Sequence, residues 1–169
     1  ILSGKRDPLD ISRETFMRIQ EVNVAGVFLC LRESVRQMRA QGGGSSIVTV
    51  GLRASRRGDA NIAAYSASKF SVLGLTQSFA MAYAKDGIRI NCICPGAFDT
   101  EMYVRQTNDF AGREGVDFET AKRQMGDVIP LGRLTSGDDV AKAIVWFTSD
   151  ETSHVTGQAL NVNGGSWMN

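Results

Sequence analysis

The stretch Asp86-Gly87-Ile88-Arg89-Ile90-Asn91-Cys92-Ile93-Cys94-Pro95-Gly96 contains a helix stop, a strand and a strand stop in succession. Asp-Gly is a helix-ending pair, and the β-branched, apolar run from Ile88 to Cys94 is a buried strand. Proline lacks an N–H and sits without cost at the strand's end. Upstream, Tyr65, Lys69, Leu73, Phe79 and Tyr83 fit a helix from Asn61 to Lys85. Before that, Ile47 to Val50 reads as another short buried strand, set off by Gly42 to Gly44 on one side and Gly51 on the other. Phe16, Ile19, Val22, Val27, Phe28, Leu31, Val35 and Met38 recur at three- and four-residue steps. That period predicts a long helix from Ser12 to Arg39.

Downstream, the segment between Pro95 and Gly132 is polar and irregular, with one short helix expected near Glu119 to Met125. Such a length in a compact domain is usually a functional lid, and substrate choice is expected there. Ser136 followed by Asp138 and Asp139 starts a further helix carrying Val140, Ala143, Ile144 and Phe147. Ala159 to Val162 is a last strand. Strands alternating with helices imply right-handed crossovers and a parallel sheet, so the fold class is α/β.

The 169 residues fit a single domain, and 19 Lys plus Arg against 18 Asp plus Glu leave a formal charge of +1. No global field draws in nucleic acid or an anionic membrane, so the expected partner is a small molecule. Apolar runs break well before the ~20 residues of a membrane span, and the N-terminus shows no signal-peptide pattern. Cys30, Cys92 and Cys94 are too few and too irregularly spaced for a disulfide framework, which points to a reducing, cytoplasmic setting. Cys92 and Cys94 alternate with Ile93 onto one buried sheet face, and with a single histidine, His154, no metal site is expected. Arg53, Arg56 and Arg57 read more simply as a solvated loop than as an anion site.

Tyr65 and Lys69 stand one helical turn apart on one face. An ammonium beside a phenol stabilises the phenolate, which turns the pair into a general acid/base near neutral pH. The pair lies within Tyr65-Ser66-Ala67-Ser68-Lys69, and Asn91-Cys92-Ile93-Cys94-Pro95-Gly96-Ala97-Phe98-Asp99-Thr100 and Val162-Asn163-Gly164-Gly165 follow. With Asn23-Val24-Ala25-Gly26, Ile129-Pro130-Leu131-Gly132-Arg133 and Thr156-Gly157-Gln158, these ordered matches span the chain. The chain resembles the short-chain dehydrogenase/reductases. The resemblance implies the C-terminal part of a doubly wound Rossmann-type sheet in three layers, α/β/α, and hydride exchange between NAD or NADP and a carbonyl or alcohol. It further implies Tyr65 as acid/base, Lys69 as its partner and holder of the nicotinamide ribose, and Asn23 as a positioner of water. Pro95, Gly96, Phe98 and Thr100 would then border the nicotinamide.

Two departures stand out. The family's catalytic serine, thirteen residues before the tyrosine, falls on Leu52, which has no hydroxyl to donate. Ser55 is nearby and is better read as a turn cap. The family's glycine-rich cofactor fingerprint is not encoded, and Gly42 to Gly44 follows a helix instead of a strand, so it does not replace it. The chain thus reads as a fragment that holds cofactor weakly. Its surplus apolar helix faces, with Val27, Leu31 and Val35 on one and Leu73, Phe79 and Tyr83 on the other, predict a homo-oligomer.

Overall fold

The computed structural model describes residues 2, 7–52, 55–98 and 101–168. The expected three strands form one parallel sheet in the order β1-β2-β3: Ser45–Val50, Ile88–Pro95 and Ala159–Val162. The register pairs Ser45 with Ile88 and Val50 with Ile93 on one side of β2, and Cys92 with Ala159 on the other.

The long first helix is helical from Arg13 through the rest of its expected span but is not uniform. α1 (Arg13–Gln20), capped by the Ser12 side chain, runs into a π turn (Glu21–Ala25) and then α2 (Gly26–Gln41). α2 stops at Gly42, whose φ of 67° suits glycine. α3 (Ala63–Tyr83) follows β1 and buries a face of small residues, Ala64, Ser66, Ser68, Val72, Thr76 and Ala80, against the sheet. Small side chains bring α3 close enough for Thr76 and Thr49 of β1 to share a 2.7 Å hydroxyl bond. Leu31 and Val35 of α2, Ala80 of α3, and Ile88 and Ile90 of β2 form the core beneath.

The opposite sheet face is covered by α6 (Gly137–Thr148), making the third layer. Ser136 starts the helix as the sequence reading expects, and it joins Asp139 in a reciprocal capping box that the reading did not foresee. Arg89 of β2 reaches that helix's carboxyl end and donates to the carbonyls of Phe147 (3.0 Å), Ser149 (3.2 Å) and Val155 (3.3 Å). A cation there satisfies free carbonyls and complements the helix dipole.

The segment after β2 corrects the sequence reading, which expected one short helix. It holds two: α4 (Glu101–Glu114) and α5 (Phe118–Asp127), the latter capped by Asp117. α4 is anchored by Tyr103, Thr107 and Ala111, spaced four apart and buried. The oligomer argument also needs correcting in its residues. Leu31 and Val35 are core, and Val27, Phe79 and Tyr83 pack against them. The apolar side chains that face outward on these helices are instead Phe28, Leu29, Phe70 and Met81.

Candidate active site

The carboxyl ends of β1 and β2 and the first turn of α3 meet at one edge of the sheet, where ligands bind in open α/β folds. Tyr65 projects from that turn and Lys69 from the next on the same face, and both are half-buried. The Lys69 ammonium donates to the Val50 carbonyl at 3.1 Å and lies 5.6 Å from the centre of the Tyr65 ring. It thus bridges α3 to the last residue of β1 while keeping N–H groups to spare. Burial raises the Tyr65 phenol above its ordinary value. Burial also lowers the Lys69 ammonium, opposed by the sulfurs of Cys92 and Cys94. The simple expectation that the ammonium depresses the phenol is therefore outweighed by desolvation in this structure.

Asn23 reaches the same turn from the π segment. It is buried, and its Nδ2 donates to Ser68 Oγ at 3.0 Å, while that hydroxyl donates to the Tyr65 carbonyl at 2.7 Å. Gln20, one residue before the π turn, donates to the Ala64 carbonyl at 3.1 Å. π turns break the regular side-chain progression and often mark functional sites. Here one sits where two amides from one helix grip the turn that carries Tyr65. Sequence reasoning missed Ser68 and Gln20 as participants. Ser68 lay inside the quoted motif, and its signal was a serine on the buried side of a helix.

Pro95 and Gly96 end β2 beside this turn, both buried. Gly96 donates to the Val162 carbonyl at 3.0 Å, and a Cβ on it would lie 2.8 Å from the Cα of Asn163. The glycine is required by the close passage of β3's end. Phe98 is half-buried and forms an isolated bridge to Thr135, which closes the base of the α4–α5 segment. Thr100 and Arg53 lie outside the described residues. Leu52 is half-buried after β1, and its N–H donates to Ser55 Oγ at 2.9 Å. Ser55 is fully buried and accepts from the Leu52 N–H, the turn-capping role expected of it. Arg56 is tied to the Ala159 carbonyl at 2.8 Å, and Arg57 lies 4.6 Å from the centre of the Trp167 ring. These guanidinium groups are held by the chain itself and not simply solvated.

Comparison with known proteins follows the same lines. The family model described as enoyl-(acyl carrier protein) reductase matches residues 2–166. The chain belongs to the short-chain dehydrogenase/reductase family. It is 33% identical to sorbitol dehydrogenase of Cereibacter sphaeroides over 160 residues, which are 95% of this chain and 62% of that enzyme. Among solved structures of this family, sorbitol-6-phosphate 2-dehydrogenase of Erwinia amylovora superposes with a TM-score of 0.93 at 28% identity. It takes in 100% of this chain and 66% of its own. The 3-ketoacyl-(acyl-carrier-protein) reductase of Brucella melitensis, complexed with NADH, gives 0.84 at 29% identity, covering 99% of this chain and 64% of its own. This short-chain dehydrogenase/reductase chain therefore spans somewhat less than two thirds of such relatives, and the spanned portion keeps their fold.

Proposed function

We propose that this chain is the catalytic portion of an NAD(P)-dependent oxidoreductase, a single partial Rossmann-type domain acting on a small carbonyl or alcohol. The observation that carries this reading is the turn of α3 that presents Tyr65 and Lys69 together at the carboxyl edge of the sheet, tied to Val50. NAD or NADP, when bound, supplies or accepts the hydride. The donor set suits its nicotinamide end: Lys69 has N–H groups left for ribose hydroxyls. Pro95, Gly96, Phe98 and Thr100 would border the ring, as the family resemblance implies.

Tyr65 gives its proton to the substrate oxygen in the reducing direction and takes it back in the oxidising one. A phenol raised by burial stays protonated at neutral pH, which suits donation. Lys69 restores the charge balance as the phenolate forms, and Asn23 holds the water through which the proton is replaced. A polyol or keto-sugar is the substrate class favoured by the likeness to sorbitol dehydrogenase. The few, irregularly spaced cysteines support a cytoplasmic setting, the balanced charge supports a partner that is neither nucleic acid nor membrane, and the outward Phe28, Leu29, Phe70 and Met81 support a homo-oligomer. No helix among the described residues is long and apolar enough to cross a membrane.

A second reading, a family member acting through association alone, is favoured by Leu52 at the hydroxyl position. The two separate cleanly in assays of the protein with NAD(H) and NADP(H) against sorbitol and other polyols, read by nicotinamide fluorescence. Turnover that Tyr65→Phe lowers by about 10²–10⁴ supports the first reading. Turnover indifferent to Tyr65→Phe, or none beside a stable oligomer, supports the second.

A further inference from the structure

The loop after β1 carries two guanidinium groups that the proposed reaction does not use. It leaves Val50, whose carbonyl accepts from the Lys69 ammonium, and delivers the chain to the turn of α3 that bears Tyr65. Residues of this loop therefore border the cleft between those two points. Gly51 runs close over β2, since an added Cβ there would lie 3.0 Å from Cys92 Sγ and 3.2 Å from Cys94 Sγ. Arg56 then reaches as far as β3, where its Nη2 donates to the Ala159 carbonyl at 2.8 Å. Its guanidinium is within Coulomb range of the Cys94 sulfur, and so is the Lys69 ammonium. One cation from the loop and one from the helix thus flank the carboxyl end of β2.

Arg57 follows and is exposed, with its guanidinium over the Trp167 ring at 4.6 Å from the centroid. The ring's own backbone is fixed. The Trp167 carbonyl accepts from the side chains of Asn163 at 3.0 Å and Asn161 at 3.4 Å. A guanidinium resting on an indole is held in orientation through its flat face, which leaves its N–H edges outward. Those edges are unengaged: among the described residues no carboxylate pairs with Arg57 and no acceptor takes its hydrogens. The nearest acid along the chain, Asp59, caps the short turn before α3, accepting at Oδ1 from the Asn61 N–H at 3.0 Å and from its Nδ2 at 3.3 Å. A free surface arginine loses side-chain entropy when it grips an anion, whereas this one is already ordered.

We infer that the site takes a polyol or keto-sugar bearing an oxoanion, a phosphate ester or a carboxylate, away from the reacting carbon, and that Arg57 receives that group. The inference rests on the oxidoreductase reading given above and narrows its substrate. Two N–H groups on one edge of a guanidinium match two oxygens of either anion. With the anion held at the rim, the alcohol or carbonyl end is left to reach Tyr65. Arg56 and Lys69 add positive potential along the way, and a cleft bordered by one sign of charge concentrates a substrate of the other. The Trp167 ring keeps water from one face of the guanidinium, which strengthens its hold on the anion. Arg57 is in this sense a specificity-determining residue: it selects what enters and leaves the proton transfer to Tyr65.

The test reads binding apart from turnover. In the full chain carrying Trp146→Phe, Trp167 is the remaining tryptophan and reports by its fluorescence. Tyr65→Phe is added so that nothing reacts, and the protein is titrated with sorbitol 6-phosphate, gluconate, sorbitol and inorganic phosphate in the presence of NAD or NADP. Sorbitol 6-phosphate or gluconate should bind about tenfold more tightly than sorbitol, and whichever does so names the anion. Arg57→Gln should erase that margin and leave sorbitol unchanged. Arg57→Lys keeps the charge over the ring but not the fork, so it should lose about threefold and decides the matter if the glutamine variant unseats Trp167. Equal binding of the three polyols, no binding of either anion, a margin that survives Arg57→Gln, or inorganic phosphate held as tightly as its sorbitol ester would overturn the inference. Turnover by the chain with Tyr65 restored tests the oxidoreductase reading separately: its absence beside an Arg57-dependent margin would sink that reading and leave the anion preference standing.

Discussion

Asn23 and Ser68, from separate helices, meet in a 3.0 Å hydrogen bond that places the π turn directly against the turn bearing Tyr65 and Lys69. Ser68→Ala leaves a buried amide without this acceptor, and stability should fall by about 1–3 kcal/mol. Chemical denaturation of the two proteins measures it. A loss below a few tenths of a kcal/mol would mean that Asn23 finds an equivalent partner elsewhere.

The family resemblance assigns a hydroxyl to the position of Leu52. If the protein turns over a carbonyl or alcohol, Leu52→Ser should raise the rate, by up to about 10²–10³ if the new hydroxyl reaches the substrate oxygen. Steady-state kinetics should show the gain in kcat more than in KM, since the added bond strengthens with developing charge.

Two glycines give opposite signs. Gly96→Ala drives a Cβ to within 2.8 Å of the Asn163 backbone and should cost about 1–3 kcal/mol. Gly74→Ala, inside α3 with nothing within 4 Å of the new atom, should add about 0.5–1 kcal/mol through helix propensity alone. Thermal midpoints of the two variants should move in opposite directions.

Asp139 binds Arg133 through both carboxylate oxygens, at 2.6 and 2.9 Å, and also accepts from Ser136. The Arg133 bond first, then Ser136, hold its carboxyl well below the usual range. A carboxyl lowered on folding contributes stability above its unfolded value of ~3.9 and loses it as pH falls through the folded value. Asp139→Asn should therefore melt below the parent protein at pH 5–7, with the gap closing as the pH drops below about 4. A gap independent of pH would assign the effect to shape instead of charge.

The outward apolar side chains of α2 and α3 make a fifth measurement useful. Light scattering should give a mass above the 18.3 kDa of one chain, and Phe28→Glu combined with Phe70→Glu should lower it toward that value. Large apolar patches are uncommon on soluble monomers. A monomeric parent would sink the oligomer proposal.

The sheet and its flanking helices were legible because their burial is written in period: Ile88 to Cys94 as a run, Leu31 and Val35 at helical spacing. α4 was not, because its buried positions are Tyr103, Thr107 and Ala111, and two of these carry little hydrophobic signal. The four-residue spacing was present, but a threonine and an alanine do not stand out among Arg105, Gln106, Asn108 and Asp109. The π turn was invisible for another reason: it is imposed by tertiary contact with α3, and Glu21 to Ala25 has no composition that separates it from ordinary helix. At the site, the motif located Tyr65 and Lys69, yet the upward displacement of the phenol depends on how deeply α3 beds into the sheet, which spacing does not encode.

The bridge between Phe98 and Thr135 is reinforced by Thr135 donating from its backbone to Ala97 at 2.9 Å and from its hydroxyl to Val162 at 3.2 Å. Whatever lies between leaves the sheet and returns to it at one pinned point. The entropy of closing such a loop grows slowly, by about 0.6 kcal/mol for each doubling of its length. The segment carrying α4 and α5 is in this sense an exchangeable cassette. Its length and lining can be rewritten by evolution or by a designer, altering what the cleft admits, while the strand register that aims Tyr65 stays in place.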